Sequence, residues 1–403
     1  MALHRLFFYL TLILLPNQLG LHFWPDWALV LGRRIDYLAP TLYLTDLTVI
    51  ATLVLWICSP HKIIPKSIMA GVAFFVYIVC NIYFSVSPHV VLFRWIKIIE
   101  FCLFGCYIIH TKPSFKTTSF FITIATLYSS LIAIAQFILQ HSIGGIFWYL
   151  GERSFDISTA GIARINWCWP TTIQCVELLR PYATFPHPNV LAGFLIISIC
   201  MSLYNKKINF WNIFSIILST IALVLTFSRG AWIIGGISMY YIIFSTQKKR
   251  NLIIGLLVFI GLLFCLPYFS SLLNQNESVI IRNELSIAAI ALWKSYPLIG
   301  AGLNGFLIQL PTVLPSRYLF FLQPPHSVYL LLLSELGIIG VGGIGWCFYT
   351  LIKKLLRQPN KIPLVILLTY GLLGAIDHYP LTLQQGQLLT TLVMTLGFLS
   401  YVK

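Results

Sequence analysis

The residue best able to do chemistry is His326, in Pro324-Pro325-His326-Ser327-Val328-Tyr329, ahead of an apolar run that holds Glu335, Gly337 and Gly340. The proline pair stops the preceding chain. Ser327 is predicted to cap the helix that follows, its hydroxyl accepting an orphan amide of the first turn. The imidazole then stands at the mouth of a membrane-length helix, where bilayer meets water. A neutral imidazole near pH 7 can take a proton from a hydroxyl, and at that boundary it can reach both a lipid-borne and a soluble substrate. Taken alone, it could equally be an inert interfacial histidine, so its surroundings decide.

Arginine is the second signal. Arg229 lies in the tight connection Thr226-Phe227-Ser228-Arg229-Gly230-Ala231-Trp232, where Gly230 permits the bend and leaves the guanidinium little freedom. Snorkelling is the other reading, but a lysine would snorkel as well, and a fixed fork suits pyrophosphate better. Arg180 opens Arg180-Pro181-Tyr182-Ala183-Thr184-Phe185-Pro186-His187-Pro188-Asn189. Asn189 is expected to cap the next helix, whose free amides would offer an anion site with Arg180 and His187 close in sequence. A purely structural capping turn fits the same residues. Arg282 falls on an expected helix over Ile281–Ser295 with Trp293 and Lys294, followed by Pro297-Leu298-Ile299-Gly300-Ala301-Gly302-Leu303-Asn304-Gly305. Those glycines are read as a turn docking the loop helix onto the bundle. No strand or βαβ unit surrounds them, so they are not a dinucleotide fingerprint.

Two charged groups remain. Arg94, Lys97 and Glu100 are spaced by three and share a helix face. They are either substrate contacts or a mutually neutralised structural triad, since charges inside a span turn toward a cavity or a partner. Glu335 is expected to pair with a charge such as Lys97. Asp377-His378-Tyr379-Pro380, followed by Gln384-Gln385-Gly386-Gln387, is either a cavity lining in the outer half of the bilayer or an Asp–His bond that stabilises the bundle.

The elements that position these residues follow from composition. Of 403 residues, 58% are hydrophobic and only 9% charged, which excludes a soluble domain. Apolar runs of about 20 residues recur, each able to cross roughly 30 Å of hydrocarbon as a helix. They fall near Leu6–Gly20, Leu42–Cys58, Ile68–Phe84, Val90–Ile109, Ser119–Leu139, Val190–Tyr204, Trp211–Phe227, Ala231–Ser245, Leu252–Tyr268, Ser327–Ile352, Leu364–Ile376 and Gln385–Tyr401. The expectation is one all-α membrane domain over 1–403 with about twelve transmembrane helices. Two long extracytoplasmic loops are expected, at 140–188 and at 269–325, the latter with a short helix carrying Arg282. Every second connection carries lysine: Lys62/Lys66, Lys112/Lys116, Lys206/Lys207, Lys248/Lys249/Arg250 and Lys353/Lys354/Arg357/Lys361. By the positive-inside rule both termini are then cytoplasmic.

This layout sets Arg33, Arg34, Arg94, Arg153, Arg164, Arg180, Arg229, Arg282 and Arg317 on the outer side, against the topological bias. Bidentate binding of phosphate or carboxylate is a reason for that bias to be broken. Of nine cysteines only Cys168 and Cys175 share an outer loop, so a disulfide there is open. No Cys/His spacing suggests zinc and no carboxylate cluster suggests calcium or magnesium, so neither metal nor cofactor is expected. The net charge of +15 does not imply nucleic acid, because no soluble basic domain exists to hold it.

Four features together resemble the O-antigen ligase and O-antigen polymerase group of membrane glycosyltransferases. They are Arg180 with Thr184-Phe185-Pro186-His187-Pro188-Asn189, Ser228-Arg229-Gly230, Arg282 leading to Trp293 and Gly300-Ala301-Gly302, and His326-Ser327 with nine residues before Gly337 and Gly340. The match covers roughly residues 90–350. The resemblance implies a GT-C-like, metal-free enzyme of the cytoplasmic membrane. It would take a glycan from a polyprenyl (undecaprenyl-type) pyrophosphate carrier at the outer face. The acceptor would be a hydroxyl of a glycan, glycolipid or protein. It further implies that His326 acts on the acceptor hydroxyl, that Arg229 and Arg282 clamp the pyrophosphate, and that Arg180 joins them. The competing classes are a twelve-span transporter of an anionic or glycolipid substrate and a non-catalytic glycolipid binder. No internal repeat supports the transporter, and only activity separates the binder from an enzyme.

Overall fold

The computed structural model describes residues 2–59, 68–168, 175–204, 210–245, 276–314 and 322–401. Helices dominate: α1 (Leu3–Leu14), α2 (Leu44–Ile57), α3 (Ile68–Tyr83), α4 (Pro88–Thr111), α5 (Phe115–Leu139), α6 (Pro188–Tyr204), α7 (Phe210–Leu225) and α8 (Arg229–Ser245). The second half contributes α9 (Asn276–Ser295), α10 (Gly305–Val313), α11 (Val328–Leu356), α12 (Ile362–Ile376), the single turn α13 (Tyr379–Thr382) and α14 (Gln384–Tyr401). The all-α expectation holds at that level, with no closed barrel among the described residues. It is modified by three small antiparallel pairs in the loops. β1 (Gly20–His22) pairs with β4 (Thr41–Tyr43), β2 (Leu29–Val30) with β3 (Arg33–Arg34), and β5 (Arg164–Cys168) with β6 (Cys175–Leu179).

By length and composition α5 and α11 can cross a membrane, while α1, α2, residues 71–83 of α3, α6, α7 and α12 are shorter apolar helices. The expected span Leu252–Tyr268, Lys62, Lys66, Lys206, Lys207, Lys248, Lys249, Arg250 and Arg317 lie outside the described residues. So do the side chains of Cys168 and Cys175, whose backbones are paired directly across β5 and β6.

The centre of the bundle is α6. Val190 through Leu203 are all buried, as befits a helix apolar on every face, and α5, α7, α8 and α12 pack around it. Its first residues therefore start deep in the molecule. On one flank, α14 packs against α4, α12 and α13. There the sequence's charged face resolves into a network of ion pairs. Lys97 pairs with Asp46 of α2 and with Glu100 at 3.0 Å, and Gln384 Nε2 also donates to Asp46. Asp46 accepts in addition the Tyr43 amide at 2.8 Å, which caps α2. Lys97 does not meet Glu335, contrary to the expected pairing. Glu335 attracts Arg94 instead, one turn earlier on α4.

α11 is broken. Gly337 has φ 62° and ψ −172°, outside helical space, in a membrane-length helix where an unpaired peptide group costs several kcal/mol. The segment Pro297–Gly302 repairs the break. Ala301 and Gly302 donate their amides to Ser334 O (2.9 Å) and Glu335 O (3.0 Å), and Ile338 and Ile339 donate theirs to Pro297 O (2.9 Å) and Leu298 O (3.1 Å). The glycine run thus docks the loop helix onto the bundle as expected.

Candidate active site

Ile376-Asp377-His378, between α12 and α13, is where the chemistry-bearing residues meet. Asp377 ends α12 in extended backbone, and its Oδ1 accepts the His378 amide at 2.8 Å. The turn is wedged in place: Tyr379 is buried with its hydroxyl in a notch where a Cβ on Gly193 of α6 would lie only 1.8 Å away. A Cβ on Gly386 would lie 1.9 Å from Tyr379 O. On the far side of the turn the Arg94 guanidinium and the Gln387 amide both donate to Leu381 O.

Four segments converge on this turn. His326, two residues before α11, sets Nδ1 3.8 Å from Asp377 Oδ1, within ion-pair range and beyond a hydrogen bond; that nitrogen is buried without a hydrogen-bond partner. Arg282, in the second turn of α9, reaches Ile376 O at 3.5 Å. Arg180 donates from Nε to Thr226 O (2.7 Å) and from its terminal nitrogen to Asn189 Oδ1 (2.8 Å), while Asn189 Nδ2 donates to Asp377 Oδ2 (2.9 Å). Arg229 starts α8 just after Thr226, beside Gly230, whose Cβ would lie 2.4 Å from Ile376 Cδ1, and its charge is felt at Arg180.

Two of the expected local roles change. Ser327 holds the N-cap position of α11 but its hydroxyl makes no cap bond. Asn189 is not a cap: α6 already starts at Pro188, and its side-chain amide bridges a guanidinium to a carboxylate. His187 accepts the Asn189 amide on Nδ1 at 3.1 Å. Lys294 is exposed in the last turn of α9, about 18 Å along the helix from Arg282, and does not join the cluster. Lys97 is neutralised as described, and Arg94 acts on the Leu381 carbonyl.

The turn's own residues, Asp377 and His378, were legible as a polar patch but not as the meeting point. Tyr37 was not singled out for chemistry either. Its ring stands edge-on to His378 with centroids 5.5 Å apart.

Electrostatically the site is a carboxylate held among cations and neutral imidazoles. Burial lowers His378 to about 4 and His187 to about 3, the latter helped by Arg180. Burial also raises Asp377, but its neighbours His326, His378 and His187 outweigh it and hold the carboxyl below the ordinary range. Burial lowers Arg180 only to about 10, so it keeps its charge at neutral pH. His326, Asp377 and His378 offer ligand atoms within 4.8 Å of one another. They form a group able to hold a metal ion, one that the sequence reading, which expected no metal, did not foresee.

Fold and site together define a helical membrane protein whose central carboxylate–histidine turn is ringed by arginines. Residues 214–345 match the family model described as O-antigen ligase. The match supports the resemblance drawn from the motifs, and it contains Arg229, Arg282 and His326. Arg180, Asn189 and Asp377 lie beyond its limits and join it only in space. No curated protein matches the chain.

Proposed function

We propose that this protein is a metal-independent glycosyltransferase that moves or polymerises a polyprenyl-pyrophosphate-linked glycan onto an acceptor hydroxyl at the outer face of the cytoplasmic membrane. Its scaffold is a twelve-span GT-C-like bundle with both termini cytoplasmic. The observation that carries this reading is the meeting of His326 and Arg282 at one buried carboxylate turn, to which Asn189 ties Arg180, with His326, Arg282 and Arg229 all inside the stretch that matches the O-antigen ligase family.

The acceptor oxygen attacks the anomeric carbon, its proton passes to His326, and the bond from that carbon to the pyrophosphate oxygen breaks. Asp377 stabilises the imidazolium that forms. Arg229, Arg282 and Arg180 face the negative charge that grows on the leaving pyrophosphate, the task an oxyanion site performs. Asn189 and His187 hold Arg180's surroundings, and Ser327 borders His326 on the acceptor side.

The test is transfer from a polyprenyl-pyrophosphate glycan by purified protein in liposomes containing EDTA, native against His326→Ala. Loss of transfer with donor binding retained supports the reading. Full activity of the variant removes His326 from the chemistry. Glycolipid crossing the bilayer with no turnover would favour a transporter instead.

A further inference from the structure

The repaired break in α11 lies between the two helices that carry Arg282 and His326. From Ser295, α9 runs back about 20 Å to Arg282; from Gly337, α11 runs back about 16 Å to His326. Near one end of this pair of helices Arg282 and His326 reach adjacent residues of one turn, Arg282 at Ile376 O (3.5 Å) and His326 beside Asp377 Oδ1 (3.8 Å). What joins their other ends is the four-bond ladder between Pro297–Gly302 and Ser334–Ile339. The relative height of guanidinium and imidazole is thus a consequence of ladder register.

Little slack exists in that ladder. A Cβ on Gly300 would lie 2.3 Å from the Glu335 carbonyl carbon, and one on Gly337 2.4 Å from that of Leu298, with φ of +79° and +62° besides. Side chains of α3 take Ile299 O and Leu336 O, which the ladder leaves free, and share Glu335 O with the Gly302 amide. Asn81, fully buried, donates Nδ2 to Ile299 O (2.9 Å) and Glu335 O (3.2 Å), while its Oδ1 accepts Trp95 Nε1 (2.9 Å). Tyr77 donates its hydroxyl to Leu336 O at 2.7 Å. Asn81 therefore spends its whole amide on locking the two strands of the splice to α3 and α4.

We propose that Asn81, Gly300 and Gly337 are positioning residues, which fix the Arg282 helix against the His326 helix through this intramembrane splice. The inference rests on the proposed function for the identity of the two reacting groups, though not for the existence of the splice. The experiment compares Gly337→Ala and Asn81→Leu with Gly342→Ala, a glycine of the same helix with open space around it. Nitroxide-bearing unnatural amino acids at Ile287 and Tyr329, both exposed, report the spacing of the two helices by pulsed electron resonance, and transfer kinetics are measured in liposomes.

Both splice variants are expected to broaden or shift the inter-label distance and to lower kcat on the order of 100-fold, leaving the donor KM nearly unchanged. Gly342→Ala should change neither. A native distance in both splice variants overturns the proposal, as does a loss of kcat no larger than in Gly342→Ala. If Gly337→Ala does not fold, Asn81→Leu carries the test. Failure of both to fold would assign the splice to folding alone and also overturn it. If native protein transfers no glycan, the proposed function fails while the distance measurement still judges the splice.

Discussion

Replacing Asp377 with asparagine separates charge from shape at the centre of the site. Asparagine keeps the same size and one acceptor oxygen, so the His378 amide bond that shapes the turn is expected to survive while the Asn189 bond to Oδ2 is given up. The negative charge 3.8 Å from His326 Nδ1 disappears with it. At that distance, with an effective dielectric near 20, opposite unit charges attract by about 4 kcal/mol. In the proposed step that attraction arises as His326 takes the acceptor's proton, so its loss falls on the transition state. The expected result is a fall in kcat on the order of 100- to 1000-fold with donor KM nearly unchanged. The assay follows release of polyprenyl pyrophosphate by purified protein in liposomes, with donor binding measured separately. A kcat close to native would refute the reasoning. So would a drop matched by an equal loss of donor binding, since Asp377 would then act on the ground state.

Two further outcomes follow from the charges around this site. Lys97→Met leaves Asp46 and Glu100 without their cation in surroundings where the three side chains are only 8%, 2% and 12% exposed, and should cost about 3–5 kcal/mol of stability. Denaturation in detergent checks it, and the double change Lys97→Met/Asp46→Asn should recover part of the loss. The second concerns pH. His378 and His187 titrate in the folded protein near 4 and 3, against 6.5 unfolded. The unfolded chain then binds more protons below about pH 6.5, so stability is full above that value and falls with pH toward 4 for His378 and toward 3 for His187. Melting temperature against pH reads the slope, and His187→Gln should flatten it; an unchanged slope would show that His187 is not held neutral.

Much of this protein was decided by its sequence alone. Apolar runs in a chain with 9% charge admit little but membrane helices, since no other arrangement satisfies the backbone in hydrocarbon. The helix carrying Arg282, the start of α11 just after His326 and the docking role of the glycine run were likewise legible. Each depends on local backbone preference or on hydropathy. What tertiary structure alone decided is which charge meets which. Lys97 finds Asp46, 51 residues earlier, in place of Glu335; Asn189 spans Arg180 and Asp377 in place of capping α6; Arg94 reaches Leu381. Asp377-His378 looked like a minor polar patch because its partners lie as far as 188 residues away. Periodicity records which face of a helix is apolar, and those faces alone do not say which helices will be neighbours. Packing around α6 set that choice, and with it the site.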